Sequence, residues 1–480
     1  MNWRFLIGSV LGCFAVSVAG AAAVWLGLRH RIYRRELGYN PKQDFVTGIN
    51  PKSVSVIPVR FTGRGFFMPK LPAGATAACL SVRLRATLPG HVFDPAVQIA
   101  AGSFCDTQYF ARGVSGVRHL NLSRLLHSGV REGDLVQLHC RRLTLPERKG
   151  ELVIDCEKVT PEDRILVVAP HPDDAELSAF GLYTDTKAVV VTLTAGDASN
   201  QYNGRNGSVK LTRHQLARLR VVDSLQVPQL AGLPRENTVC LCYPDSLLHS
   251  MHGASTRDFS QNGAGHFDFA GLRALNTSRL LRDNAVCTWN SLVMDLAHLI
   301  GRIQPTIIVT PDPWHDPHPD HVAATLAVCD ALSLSQRTDG RFFLTNVHNK
   351  WSELYPLGPA GAGVPIPHRA QGGAPESSGF YSHALSPERQ FEKYLALEAM
   401  HDIRELTGCP PYDLAYLWRR FRIVAGSFVH GLGTPPTSSL RRAVRPDEIF
   451  LILKFEELLK LRPKLQFPND AFSGGMKRST

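Results

Sequence analysis

Arg164-Ile-Leu-Val-Val-Ala-Pro-His-Pro-Asp-Asp-Ala-Glu-Leu177 decides the fold of this chain. Ile165 to Val168 is a short, continuous apolar run, the pattern of a parallel strand buried on both faces. Pro170 stops the run and Pro172 follows at once. Asp173, Asp174 and Glu176 then precede Leu177, Phe180 and Leu182. Carboxylates in a first turn are favoured by the free amides and the dipole of a helix. The stretch therefore predicts strand, tight turn, helix. In an open α/β sheet such a turn faces the crevice where ligands bind. It holds no glycine-rich phosphate loop. It holds His171, Asp173 and Asp174, donors that suit a divalent metal, zinc foremost.

The pattern recurs downstream. Ile307-Ile-Val-Thr310 predicts another buried strand, running into Pro311-Asp-Pro-Trp-His-Asp-Pro-His-Pro-Asp-His321, with a helix expected over Val322 to Leu332. Two strand ends bearing complementary donors can meet at one crevice. The pair of turns, His171-Pro-Asp-Asp174 and later His318-Pro-Asp-His321, resembles the signatures of the PIG-L/LmbE-like zinc-dependent N-acetyl-sugar deacetylases.

The resemblance implies a site. His171, Asp174 and His321 would hold one zinc per chain, or another divalent metal, and three protein ligands with an open position is the catalytic zinc arrangement. Asp173 would be general base and then acid. His318 would stabilise the oxyanion. Asp320 and Asp316 would orient histidines from behind. Gly196 and Asp197, after the predicted strand Ala188–Thr194, would line the substrate pocket. Tyr243-Pro-Asp-Ser246 is similar to the family's Pro-Asp-Gly turn, and the spacing of Lys393 and His401 to its C-terminal helix. Arg213 and His401 complete the substrate-binding candidates. Leu211 to Leu225 reads as a basic helix with Arg213, Arg218 and Arg220; the Glu that usually accompanies the family's helix Arg is absent here, and a solvated helix face is the better reading of Arg213. Taken alone, His171 would be a loop histidine, the paired aspartates a helix cap, and His315 a surface residue.

The remainder of the 480 residues sets the context. A chain this long exceeds what one core usually supports, so two folded domains are expected. The formal net charge is +11, but no nucleic-acid-reading motif accompanies it, and a surface facing anionic lipid or glycan accounts for it as well. Phe5 to Leu28 contains no charged residue and is long enough to cross a bilayer. A cleaved signal peptide is the rival reading, yet the apolar run continues through Val24-Trp-Leu-Gly-Leu28 beyond any plausible cut. Arg29, Arg31, Arg34 and Arg35 follow, which places the bulk of the chain on the cytoplasmic side of a single-pass membrane protein, with a bacterial inner membrane as the natural setting. The ten cysteines include no Cys-x-x-Cys, and buried free thiols are expected.

From Val46 to Val159 the pattern changes. Leu80, Val82, Leu84, Ala86 and Leu88 alternate with polar residues, Val136, Leu138 and Cys140 repeat the period, and turns punctuate the runs. An antiparallel β-sandwich is predicted. The expected fold class is thus a Rossmann-like α/β deacetylase domain, mainly parallel, behind a membrane helix and a small sandwich. The boundaries are an anchor at 1–28, a basic linker at 29–45, a sandwich at 46–160, the deacetylase domain at 161–462 and a tail at 463–480. Sandwiches often bind glycans, but Phe104, Tyr109 and Phe110 read better as core than as stacking faces, and no chemistry is assigned there. Gly358 to Gly379 is expected to be a surface loop or lid, Glu388 to Leu406 a helix, and Leu451 to Leu461 the last helix.

These readings converge on a membrane-anchored de-N-acetylase of a hexosamine in a glycolipid or an envelope glycan such as lipopolysaccharide. The alternative is a non-catalytic glycan-binding or scaffolding protein that keeps the fold, but a degenerate member would be expected to lose the base or a ligand, and none is missing. A phosphoesterase is weaker still, lacking the carboxylates of a two-metal site. No nucleic-acid partner is expected, and nothing in the sequence points to an oligomeric state.

Overall fold

The alternating runs of the first third become nine strands, β1 (Ser55–Arg60), β2 (Gly65–Phe67), β3 (Ala77–Ala86), β4 (Ala96–Ala101), β5 (Phe104–Tyr109), β6 (Ser115–Asn121), β7 (Leu135–Arg141), β8 (Leu143–Thr144) and β9 (Lys149–Asp155). This is a computed structural model, and it describes residues 33–198, 211–403 and 438–465, save 64, 263–264, 350–351 and 368–373, with Phe467 and scattered positions between 16 and 31. The strands pair antiparallel in two sheets, β1-β9-β3-β6 with β8 on β3, and β2-β7-β4-β5. Leu80, Val82 and Leu84 of one sheet share a core with Val97, Ile99, Val136 and Leu138 of the other. The intervening Arg83 turns outward to Asp44 and Glu147. Period-two patterning buries one face of each sheet against its partner.

The second body is built on one sheet. After β10 (Ile165–Ala169), β11 (Ala188–Thr194) and β12 (Thr238–Tyr243) comes a minor hairpin, β13 (Gln261–Asn262) and β14 (Gly265–His266). Then follow β15 (Ile307–Pro311), β16 (Arg341–Thr345), β17 (Gly379–Ala384) and β18 (Asp447–Lys454). Their order is β12-β11-β10-β15-β16-β18-β17, parallel through β16 and antiparallel beyond it. Leu166 and Val168 face one core, with Leu292, Leu296, Ala324 and Val328 of the helices Trp289–Ile303 and Pro319–Leu334. Ile165 and Val167 face the other, with Phe180, Leu182, Ala396 and Leu397 of the helices Asp174–Thr184 and Pro387–Ala399. Both faces being covered, the strands read as unbroken apolar runs. The chain builds outward from β10 to β12 and then returns to β10's other side with β15. That reversal leaves the turns after β10 and β15 facing each other, where sheets of this kind bind ligands.

Four expectations change or fall elsewhere. Leu451 to Lys454 does not begin the last helix; it ends β18, and the helix is Phe455–Leu461. A short apolar run fits strand or helix equally in sequence, and here the gap between β16 and β17 selects the strand. The stretch after Gly358 is not a surface loop throughout. Ala362, Val364 and Ile366 are buried, and Gly363 and Ile366 donate to Thr107 and His119 of the sandwich at 3.0 and 3.1 Å. The helix expected to reach Leu406 ends at Ala399, and 404–406 lie outside the described residues. The predicted anchor, Phe5 to Leu28, falls almost wholly outside them, as does most of the tail; among the described residues no helix is long and apolar enough to cross a membrane.

The two bodies are fastened by buried polar contacts. Arg124 pairs with Asp106 at 2.6 Å and with Asp447 at 3.0 Å, Asn121 donates to Ser382 at 3.1 Å, and Phe380 N–H donates to Asp155 at 2.8 Å.

Candidate metal centre and active site

β10 ends into a turn whose backbone is strained. Asp173 sits at φ 141° and ψ −26° just before the Asp174–Thr184 helix, a conformation unfavourable for any side chain. Its effect is to send neighbouring carboxylates apart. Asp174 turns back to accept from His171 N–H at 2.9 Å, while Asp173 turns toward Arg220. On the other strand, β15 runs through Pro311–His318 into the Pro319–Leu334 helix, so Asp320 and His321 stand in its first turn rather than before it.

Three atoms from these turns form a triangle. His171 Nδ1 is 3.1 Å from Asp174 Oδ2, His321 Nε2 is 3.2 Å from Asp174 Oδ2, and the two nitrogens are 3.2 Å apart. With zinc–nitrogen and zinc–oxygen bonds of ~2.0–2.1 Å, one edge of a coordination tetrahedron is about 3.3 Å. The triangle has the dimensions of such a face.

Hydrogen bonds behind the triangle set which nitrogens carry protons. His321 Nδ1 donates to Asp316 at 2.8 Å, leaving a lone pair on Nε2. His171 Nε2 lies 3.3 Å from Asp245 and 3.4 Å from Asp320, so a cation in the triangle would displace the Nδ1 proton and leave that nitrogen's lone pair facing it. Both lone pairs face the triangle, as metal ligation requires. These carboxylates are themselves held. Asp316 accepts from Val347 N–H at 3.1 Å and His348 N–H at 3.0 Å, and Asp320 from Ser246 N–H at 2.7 Å and Leu248 N–H at 3.2 Å.

Two other donor groups overlap this one, His171/His318/His321 and His171/Asp245/Asp320, each within 4.8 Å. Neither fits a cation as well. The lone pair of His318 Nδ1 accepts from Asp320 N–H at 3.3 Å, so its other nitrogen is the donor. In the second group His171 offers its protonated nitrogen.

The electrostatics agree with the donor chemistry. Burial disfavours charge on His321, yet Asp174 and Asp316 outweigh it and raise its pKa to about 10. Burial also opposes charge on His171, and Asp245, Asp174 and Asp320 likewise push its pKa well up. The field that favours a proton on these imidazoles favours a divalent cation between them. His318 goes the other way: burial and then the neighbouring His321, His171 and His348 take it down to about 2, a neutral imidazole with one N–H to give. Its ring packs edge-on to His171 with centroids 4.8 Å apart and stacks on His348 at 5.6 Å.

Beside the triangle lies a buried ionic cluster. Arg220 donates to the Pro172 and Gly196 carbonyls at 3.0 Å each, pairs closely with Asp402, and stands 3.7 Å from both Asp173 and Asp245. Burial raises the Asp173 pKa, and the carboxylates of Asp402 and Asp174 raise it further. Arg220, Asp245 and Asp402 were not legible as site residues from the sequence. Asp245 stood in the Pro-Asp-Ser turn, which marked the place but not the contact with His171. Arg220 read as one basic residue of a helix, and Asp402 had no signal.

The remaining expected residues are distributed as follows. Asp197 is buried, accepts from Asp245 N–H at 2.8 Å and pairs with Arg213, whose side chain is about half exposed. Gly196 has φ 65°, and a Cβ there would meet the Arg220 guanidinium, so only glycine lets that arginine close on the turn. His401 is half-buried and engages Asp223 at 2.8 Å, while its neighbour Asp402 reaches Arg220. His315 is not a surface residue; it is buried and bonded to Asp312 at 2.9 Å. Lys393 is buried and pairs with Glu448 at 2.8 Å.

The family model described as PIG-L: GlcNAc-PI de-N-acetylase matches residues 166–332, which span both turns. The resemblance read from those turns is borne out. No curated protein sequence matches the chain. Among solved structures, the zinc-inhibited form of teicoplanin deacetylase Orf2 is 15% identical with a TM-score of 0.33, covering 61% of this chain and 98% of its own. GalB, the 4-carboxy-2-hydroxymuconate hydratase from Pseudomonas putida KT2440, is 14% identical with a TM-score of 0.31, covering 60% and 95%. A family two carbohydrate esterase from Cellvibrio japonicus is 13% identical with a TM-score of 0.17, covering 61% and 83%. Likeness at this level carries nothing about substrate.

Proposed function

We propose that this PIG-L-type chain is a metal-dependent de-N-acetylase of a hexosamine, held at a membrane and acting on a glycolipid or a membrane-associated envelope glycan. The observation that carries the reading is the triangle of His171 Nδ1, Asp174 Oδ2 and His321 Nε2, with both lone pairs turned inward. Its size and its ring of carboxylates fit one zinc ion, which when bound supplies Lewis acidity and acidifies water.

The chain's own residues supply the rest. Asp173 is turned away from the triangle, beside Arg220 and hydrogen-bonded to Asp402, so it does not ligate the metal and is the carboxylate assigned to take a proton from the attacking water and return it to the leaving amine. His318, neutral and with its Nδ1 occupied, presents its Nε2–H to the amide oxygen as negative charge develops there. Arg220 holds the turn by the Pro172 carbonyl and keeps Asp173 in place. The apolar stretch Phe5–Leu28 and the arginines after it support the membrane location and a substrate confined to the same plane.

The test is acetate release by the zinc-loaded full chain from an N-acetylglucosaminyl phospholipid and from free N-acetylglucosamine. Faster release from the lipid-linked sugar is expected. No release from any N-acetylhexosamine, with metal bound, would refute the activity.

A further inference from the structure

An exposed apolar tip stands at one end of the sandwich. Between β3 and β4 the chain makes the short turn Leu88–His91, and Leu88, Val92 and Phe93 there are 88, 43 and 47% exposed. Loop tips of soluble sandwiches are ordinarily polar. This one is also held firmly. Phe93 N–H donates to Pro89 at 2.9 Å, Gly113 N–H donates to Gly90 at 2.9 Å, and Arg142 donates to the Asp94 carbonyl at 3.1 Å with its guanidinium 5.3 Å from the Phe93 ring centre.

The tip is joined to the segment that leaves the apolar stretch of the sequence. Arg112 pairs with Asp94 at 2.6 Å and lies 4.4 Å over the Tyr33 ring, whose hydroxyl accepts from Arg112 N–H at 3.1 Å. Tyr33 follows closely on Phe5–Leu28, and Arg31, Arg34 and Arg35 beside it in the chain are exposed, as is Arg142 at the tip. The same end carries a link to the crevice. Ser352 donates to the Glu36 carbonyl at 3.2 Å, close in the chain to His348, which stacks on His318.

We propose that the Leu88–Phe93 tip, with these arginines, rests in the interface of an anionic phospholipid bilayer and fixes how the catalytic body sits on it. This rests on the membrane-held reading above. A partner protein is a poorer fit, because exposed apolar side chains with Arg142 over Phe93, joined to an arginine-rich segment running into an uncharged stretch, match headgroup phosphates over acyl chains.

The experiment uses the full chain reconstituted in phosphatidylcholine vesicles, with and without phosphatidylglycerol, containing brominated acyl chains that quench tryptophan. Leu88→Trp, Phe93→Trp and, as reference, Leu230→Trp at an exposed site of the catalytic body are compared with wild type. Added quenching at Leu88→Trp and Phe93→Trp should exceed that at Leu230→Trp by roughly twofold or more, and rise with phosphatidylglycerol. Vesicle flotation reads the tether separately, and neither readout depends on deacetylase activity. Vesicle-bound protein without extra quenching at either tip residue overturns the docking face. A chain that does not float with either vesicle overturns it too, while leaving the acetate-release assay to judge the activity on its own.

Discussion

His321 donates from Nδ1 to Asp316 at 2.8 Å, and this one bond decides that the nitrogen facing Asp174 and His171 carries a lone pair. Removing the acceptor frees the imidazole to change tautomer or rotate. Asp316→Ala should therefore weaken zinc affinity by about 10–100-fold, as expected for the carboxylate behind a ligating histidine. His321→Ala should abolish near-stoichiometric zinc. Competition with a chelator of known affinity measures both, and wild-type affinity in Asp316→Ala would count against the assignment.

Asp173 should separate chemistry from metal binding. Its carboxylate points to Arg220, not into the triangle, so Asp173→Asn is expected to retain zinc and fold while losing ~10²–10⁴ in kcat. Acetate release alongside metal analysis tests this. Activity within about twofold of wild type would remove Asp173 as the base.

Arg220 balances three carboxylates, Asp173, Asp245 and Asp402, in a buried cluster. Arg220→Met leaves them uncompensated and should destabilise the fold by about 3–5 kcal/mol. Arg220→Lys keeps the charge but not the fork that spans the Pro172 and Gly196 carbonyls. The lysine variant should regain much of the stability yet keep a depressed kcat with little change in KM. Thermal melts and steady-state kinetics decide; full activity in Arg220→Lys would mean the arginine does not position the turn.

Away from the site, the sandwich should confer an acid-sensitive stability. His119 is buried, bonded to Ser81 at 2.8 Å and to the Phe45 carbonyl at 3.2 Å. Burial, with Arg118 nearby, lowers its pKa to about 4 from an ordinary 6.5. The unfolded chain therefore binds the extra proton between these values. Stability is full above pH 6.5 and falls as pH drops toward 4, by up to about 3 kcal/mol from this group. His119→Gln should flatten that slope relative to wild type in melts from pH 7.5 to 4.5. Parallel slopes in the two proteins would show that His119 does not titrate on unfolding.

What the sequence determined by itself is local. Ile165–Val168 and Ile307–Thr310 are apolar runs, and it is their shortness and the proline that cuts each off, with His and Asp following, that favour an inner strand with its donors at the carboxyl end over a helix. The sandwich was equally legible, because alternation at period two is a property of consecutive residues. Tertiary structure decided the rest. Whether Leu451–Lys454 is strand or helix depends on the vacancy between β16 and β17, which no neighbouring residue encodes. The segment around Ala362–Ile366 has a loop's composition, yet it is buried where Thr107 and His119 of the sandwich accept its N–H groups and Arg445, from far along the chain, donates to the Ala362 carbonyl. The site divides the same way. Ligand types are written in two short motifs, but the tautomers of His171 and His321 and the aim of Asp173 follow from Asp245, Asp316, Arg220 and Asp402. Those groups converge only when the sheet and its helices close around β10, since hydrogen-bond partners are chosen by distance in space and not by spacing in the chain.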